Sequence, residues 1–296
     1  MPGAPKISVV MPSYGKAQFI GEAIRSVLDQ TFTDIEILVV DDKSIDGSLK
    51  IALDLSAIDQ RVRVIAKPTR SGVSSSINLG IKNAQGDALA FIGADDIYSP
   101  DKLEKQWEVM KYESTPTVVD CERWKIDADG NVIPKTRPTT NYPRSGWIFG
   151  DLLVRGYGQV ASLLVPRACL DKVGLFDESL KWSEDYDLEL RLARDYPFAF
   201  VPDKLYGYRV YPGNMSKSID RRTRLTVQCK VLEKYFRESG DLLNRDQRAR
   251  AEGELLRFYW ETGQRAKLLG RALRSANGTK FLARYTLRKV VQPLKK

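Results

Sequence analysis

The sequence predicts an α/β fold: a mostly parallel central sheet with helices on both faces, followed by an α-helical C-terminal extension. Three observations carry this. Short apolar runs alternate with helical spacings from Lys6 to Ile92. After Ile219 the strand-like runs stop. Polar and acidic groups fall where the apolar runs end, and ligands of open α/β sheets bind beyond the carboxyl ends of the strands.

Lys6–Met11 (KISVVM) reads as the first strand and Pro12-Ser13-Tyr14-Gly15 as a turn. Ala17–Gln30 sets Phe19, Ile20, Ala23, Ile24, Val27 and Leu28 at helical spacing. Glu36–Val40 is a second buried strand that ends at Asp41-Asp42, and Asp46-Gly47-Ser48 opens a helix reaching about Ala57. Val62–Ala66 is the third strand, Ser71–Ala84 the third helix and Ala88–Ile92 the fourth strand. That strand runs into Gly93-Ala94-Asp95-Asp96, and Ser99-Pro100-Asp101 marks the next helix start. Alternation of this kind predicts parallel pairing, and right-handed crossovers bring the strand ends to one edge. Three polar loops, Pro12–Gly15, Asp41–Asp46 and Gly93–Asp96, then share a rim on which they can surround one ligand.

Beyond Lys111 the alternation weakens. Val118–Cys121 reads as a strand, Asp127–Asn131 as a hairpin turn with Val132-Ile133 returning, and residues 134–146 as a surface loop. The D-x-D-G-N run opens like a calcium loop, but Pro138 stands where the bidentate Glu is required. Ser162–Val165 reads as a strand and Arg167–Val173 as a helix ending at Gly174. Ser183 is the expected N-cap of a helix whose first turn holds Glu184 and Asp185, where the helix dipole favours acids. Phe198–Val201 and Leu205–Val210 read as two strands and Tyr211–Asn214 as a turn. Thr223–Phe236, Arg245–Thr262 and Gln264–Ala276 are helical by pattern, and Phe281–Val291 is a basic amphipathic stretch. The expected division is a domain over 1–215 and a helical extension over 216–296.

Composition excludes several chemistries. The 296-residue chain has no histidine, which removes histidine bases and histidine metal ligands. Cys121, Cys169 and Cys229 are odd in number and far apart, which argues against disulfides and a clustered zinc site. Neither the dinucleotide G-x-G-x-x-G nor the G-x-x-x-x-G-K-[ST] phosphate loop is present. The formal net charge is +9, yet residues 1–215 carry 26 Lys/Arg against 30 Asp/Glu, and residues 216–296 carry 21 against 8. The last 35 residues hold ten basic residues and no acid, which suggests a tail facing an anionic membrane surface. Nucleic acid is not expected as a partner, because no nucleic-acid-binding fold is evident and the sheet domain is net acidic. No apolar run approaches the roughly 20 residues that span a bilayer, and the opening MPGAPKISVVMPSYG lacks the pattern of a secretory signal. A cytoplasmic protein, peripheral on the inner face of the cell membrane, is the expectation.

Three segments together resemble a family 2 inverting glycosyltransferase of the GT-A fold: ISVVMPSYGKAQFIGEAIRSVLDQTFTDIEILVVDDKSIDGS, SGVSSSINLGIKNAQGDALAFIGADD and VGLFDESLKWSEDYDLELRLA. The resemblance covers about the first 210 residues. It implies a nucleotide-diphospho-sugar transferase fold with a Rossmann-like, mostly parallel central sheet. It also implies a hexosyltransferase-like enzyme using a nucleotide-sugar, with a UDP-sugar as the first choice. The acceptor would be a glycan or lipid-linked glycan in surface polysaccharide biosynthesis. The alternative is a non-catalytic nucleotide-sugar-binding or scaffold protein of a glycan assembly complex. By the same resemblance the nucleotide-sugar would lie against Pro12, Tyr14, Asp42, Asp95 and Asp96. Mn²⁺ or Mg²⁺ would sit on Asp96 and Asp95, Asp185 would be the general base, and Glu184 and Tyr211 are secondary candidates. The chain departs from the family at Gly93, where Asp is frequent, at Ile77, where Arg is frequent, and at Tyr211, where His is frequent. Three arrangements accommodate this: a metal site with fewer protein ligands, favoured because Asp95, Asp96 and Asp185 remain; a metal-light site leaning on Lys or Arg; or a weakened enzyme.

Overall fold

The computed structural model describes residues 5–134, 144–155, 158–214 and 219–274. Strands β1 (Ile7–Ser13), β2 (Ile35–Asp41), β3 (Val62–Ala66) and β4 (Ala88–Phe91) alternate with helices α1 (Ile20–Leu28), α2 (Ser48–Ile58) and α3 (Val73–Asn83). β1 pairs in parallel with both β2 and β4, and β2 pairs in parallel with β3. The register sets Ser13 beside Asp41 and Val10 beside Phe91, so all four strands finish on one edge. Every residue of β2 and β4 is buried. Strands covered on both faces read as unbroken apolar runs, which is why EILVV and ALAF are legible without alternation.

The rest of the sheet is mixed. β5 (Ile97–Tyr98), α4 (Lys102–Tyr112), β6 (Val118–Ile126), β7 (Val132–Ile133), α5 (Phe149–Arg155), β8 (Leu164–Pro166), α6 (Arg167–Val173), α7 (Glu184–Asp195) and β9 (Phe198–Arg209) follow in chain order. The strand order is β3-β2-β1-β4-β8-β6-β9-β5, with β7 hairpinned onto β6. β8 is antiparallel to β4 and β6, and β5 is antiparallel to β9. The two strands expected over Phe198–Val201 and Leu205–Val210 are one strand. β9 runs parallel to β6 through register shifts at Glu122, and this irregularity absorbs Pro202-Asp203. β5 and α5 have no counterpart in the sequence reading, because β5 is a two-residue strand and α5 a seven-residue helix.

Cα packing divides the chain into Met1–Ile148 with Gly158–Asn214, and Phe149–Tyr157 with Met215–Lys296. The described part of the second unit contains helices α5, α8 (Arg221–Glu238), α9 (Arg245–Thr262) and α10 (Arg265–Ala272) around Val231, Leu232, Tyr235, Leu255, Leu256 and Phe258. A reciprocal cap opens α9: Asn244 Oδ1 accepts from the Gln247 N–H at 2.9 Å, and Gln247 Oε1 accepts from the Asn244 N–H at 3.2 Å. Among the described residues no helix is long and apolar enough to cross a membrane. The stretch Phe281–Val291 lies outside the described residues. The three cysteines are free and buried.

Candidate active site

The edge where β1, β2 and β4 end is built by backbone hydrogen bonds between loops. Asp42 N–H donates to the Ser13 carbonyl at 2.8 Å, and Gly15 N–H donates to Ser44 Oγ at 3.1 Å. Lys16 N–H donates to Ser48 Oγ at 2.7 Å, while Asp46 accepts from the Ala17 and Ser48 N–H groups at 3.0 and 3.1 Å. Asp42 organises the loop before α3. Its carboxylate accepts from the Ser71 and Gly72 N–H groups at 2.9 and 2.8 Å and pairs with Lys67 at 2.7 Å. Burial alone would raise its pKa, but Lys67 and the two N–H groups outweigh it and hold the carboxyl below its ordinary range. The Tyr14 ring stays 37% exposed and carries the Arg70 guanidinium 3.7 Å from its centroid. Pro12 sits one residue before the end of β1. Two buried oxygens beneath this rim, Ser13 Oγ and Asp41 Oδ1, have no hydrogen-bond partner.

The two adjacent acids after β4 face different ways. Asp95 is half-buried, and its Oδ2 accepts from Lys16 Nζ at 2.6 Å and from the Tyr211 hydroxyl at 2.8 Å. Lys16 also donates to the Tyr211 hydroxyl. Burial would lower the Lys16 pKa, but the charge and hydrogen bond of Asp95 prevail and raise it. Asp96 is turned inward and only 5% exposed. Its Oδ1 accepts from the Arg209 N–H at 2.8 Å and its Oδ2 from the Tyr206 hydroxyl. Burial, with the Asp95 charge beside it, pushes the Asp96 carboxyl up to about 7. Arg209 is the buried post behind both acids. Its guanidinium donates to the carbonyls of Asp95 at 2.7 Å and Ala128 at 3.0 Å, and pairs with Glu22 at 2.6 Å.

Helix α7 is fastened to the same strand end. Phe176 packs edge-on against Phe91, the last residue of β4, at 5.9 Å between centroids. Asn78 on α3 exchanges hydrogen bonds with the Phe176 backbone at 2.9 Å in both directions. Arg191 gathers the carbonyls of Val173, Gly174 and Leu175 at 2.7, 2.9 and 2.7 Å. The expected N-cap is not a side-chain cap. Ser183 adopts φ 64°, makes no capping bond, and offers only its carbonyl to the Asp187 N–H. Among the described residues, Ser183 and Lys43 are the non-glycine residues with positive φ. One precedes Glu184-Asp185 and the other follows Asp42, which is where strain is tolerated when surrounding structure enforces a functional geometry. Burial, then the charges of Glu184 and Glu189, raise the Asp185 carboxyl well above its ordinary range, with Arg123 opposing. Burial raises Glu184 too, and its Oε2 is buried without a hydrogen-bond partner.

Gly158 backs this helix start so closely that a Cβ would lie 2.4 Å from the Asp185 carbonyl carbon and the Tyr186 nitrogen. Gly158→Ala therefore displaces the first turn of α7. The expected result is a loss of about 1–3 kcal/mol on thermal unfolding; an unchanged unfolding temperature would show that the first turn of α7 yields without cost.

A divalent cation does not fit the donors these residues present. Beside a diphosphate, Mg²⁺ and Mn²⁺ are held by one or two carboxylates with oxygens free to turn to the ion, together with phosphate and water. Both Asp96 oxygens are engaged within the protein, and Asp95 Oδ2 is held by Lys16 and Tyr211. Burial raises the Tyr211 pKa, so its phenol is a donor and not a ligand at neutral pH. Among the described residues no three His, Cys, Asp or Glu side chains are grouped to hold a metal ion.

The profile described as Glycosyl transferase family 2 matches residues 8–163. The chain belongs to glycosyl transferase family 2. An uncharacterized glycosyltransferase of Rickettsia conorii is 34% identical over 232 residues, covering 78% of this chain and 38% of that protein. The chain thus spans well under half the length of that curated relative. Among solved structures it resembles TarS 1–349 of S. aureus in complex with UDP-GlcNAc, with TM-score 0.67, 19% identity, and coverage of 93% of this chain and 78% of that one. It also resembles the mannosyltransferase PcManGT of Pyrobaculum calidifontis in complex with GDP-Man and Mn²⁺, with TM-score 0.61, 17% identity, and coverage of 98% and 82%. Together with the family match, these likenesses establish the GT-A fold.

Sequence reasoning placed Tyr14, Asp42, Asp95 and Asp96 in loops that follow strands and Asp185 in the first turn of a helix, as the structure has them; Pro12 and Ser13, expected in a turn, belong to β1. It missed Lys16, Lys67 and Arg70, whose ordinary-looking charges only the fold brings to the rim, and Tyr206 and Arg209, which lie over 100 residues from the acids they hold.

Proposed function

We propose that this chain transfers a hexosyl group, with inversion, from a nucleoside-diphosphate donor to a hydroxyl of a glycan or lipid-linked glycan acceptor. One observation carries the reading. The loops after β1 and β2 and the acids after β4 are tied together at one sheet edge, where Lys16 pairs with Asp95, Lys67 pairs with Asp42 and Arg70 lies on Tyr14, and burial raises the Asp185 carboxyl in the first turn of α7. The base of the donor stacks on the exposed Tyr14 ring, displacing or sandwiching Arg70, while Pro12 and Asp42 border it. Lys67, paired with Asp42, and Arg70, on Tyr14, border the nucleoside. Asp95 meets the ribose. Asp185 takes the proton of the acceptor hydroxyl as that oxygen attacks the anomeric carbon. The carbon–oxygen bond to the diphosphate breaks from the opposite side, and the nucleoside diphosphate leaves with the bonding pair. Burial, with the charge of Glu184 beside it, keeps the Asp185 pKa high, and Tyr211 orients Asp95.

The donor complexes of TarS and PcManGT support a nucleotide-sugar, and a UDP-sugar is the first choice. The basic C-terminal stretch supports a lipid-linked surface polysaccharide acceptor and a peripheral position on the inner membrane face. A panel of UDP-, GDP- and dTDP-sugars tests the donor by thermal shift. One class should raise the unfolding temperature, because a ligand that binds only the folded state stabilises it by mass action. No shift from any donor at millimolar concentration would remove the reading.

A further inference from the structure

We propose that the Lys16 ammonium, and not a divalent cation, is the charge that meets the donor diphosphate in this protein. The inference rests on the donor reading above and names the group that neutralises the leaving phosphate. Its first support is the state of the acids. Asp96 spends both oxygens on Tyr206 and the Arg209 N–H and is 5% exposed. Asp95 spends Oδ2 on Lys16 and Tyr211. A third carboxylate cannot be accommodated at position 93 without moving this pair. A Cβ on Gly93 would stand 2.8 Å from Asp96 Oδ2 and 3.0 Å from Asp95 Oδ1.

The second support is that Lys16 is held in place. Its N–H is tied to Ser48 Oγ at 2.7 Å, and its carbonyl accepts from the Phe19 and Ile20 N–H groups at 2.9 Å each. The Tyr211 ring, 5.1 Å from the ammonium, is held in turn by Phe19 at 4.8 Å. Asn214 accepts from the Tyr211 N–H at 2.6 Å and donates to the Arg209 carbonyl at 2.9 Å. Two of the three ammonium N–H donors are used by Asp95 and Tyr211. The third has no partner among the described residues, and the side chain keeps 17% exposure. A preorganised ammonium with one open donor is a ready phosphate contact. Tyr211 is then its orienting partner, a role a neutral phenol fills better than metal ligation.

Calorimetric titration of UDP, or of the nucleoside diphosphate selected by the donor panel, tests this in EDTA and in Mn²⁺. The expected Kd for the unaltered protein changes less than threefold between the two conditions. Lys16→Met weakens binding about tenfold or more in both, as loss of a charged hydrogen bond requires, and Lys16→Arg restores part of it. The unfolding temperature of each Lys16 variant, measured without nucleotide, guards against a folding artefact: weakened binding counts only where the variant unfolds within a few degrees of the unaltered protein. Binding that vanishes in EDTA and returns with Mn²⁺, or full affinity in Lys16→Met, overturns the assignment while leaving the donor reading intact. No nucleotide binding in either condition removes the donor reading and this assignment with it.

Discussion

Asp185→Asn is expected to lower transfer at least a hundredfold while leaving the donor Kd within a few-fold. A positioned general base contributes roughly 10²–10⁴ to rate, and the amide keeps the shape of the first turn of α7 while losing the proton acceptor. The pH dependence follows from the same environment. Burial and the neighbouring charges of Glu184 and Glu189 raise the Asp185 pKa, so the carboxyl holds its proton to higher pH than an ordinary aspartate. Only the ionised form accepts the acceptor proton. The rate of the unaltered protein should therefore rise with pH through this elevated pKa, and the residual rate of Asp185→Asn should lack that limb. Rates measured from pH 5 to 9 at saturating donor check both. An Asp185→Asn protein that turns over normally would place the base elsewhere, with Glu184 as the next group to replace.

Asp96→Asn is expected to stabilise the protein above neutral pH. Its folded-state pKa of about 7 stands above the ordinary value, so the folded chain binds this proton more tightly than the unfolded chain. The resulting stability is fully present below about pH 4 and is lost as pH rises through 7, with an upper bound of about 4 kcal/mol for a shift of this size. Asparagine avoids the loss: its Oδ1 still accepts from Arg209, and its amide can donate to Tyr206. The unfolding temperature of the variant minus that of the unaltered protein should be small at pH 5 and grow by several degrees by pH 8. A difference that does not change with pH would mean that Asp96 is solvated and free to turn outward.

Both predictions show what could be read from the residues alone. Strands covered on both faces announce themselves as apolar runs, and the acids that follow them fall at the rim by topology. For that reason Asp42, Asp95 and Asp96 were legible as acids lying beyond the ends of β2 and β4. Val62–Ala66, Arg167–Val173 and Arg245–Thr262 have the bounds their patterns indicate. Orientation was not legible. Asp95 and Asp96 are adjacent and chemically identical, yet one meets Lys16 and the other a buried tyrosine contributed by β9. That choice depends on a strand pairing over 100 residues away, which local pattern cannot report. Ser183 failed as a side-chain cap for a related reason: packing around α7 places it at positive φ, where its hydroxyl does not reach the helix N–H groups.

Inverting transfer is decided by real-time NMR of the purified protein with the donor panel, because donor consumption and the anomeric configuration of the first product are read together and water can stand in for the acceptor. One nucleoside-diphosphate sugar should be consumed, its nucleoside diphosphate released, and the first-formed sugar should have the configuration opposite to the donor. Retention of configuration, or an unaltered donor across the whole panel, would rule out inverting transfer by this protein.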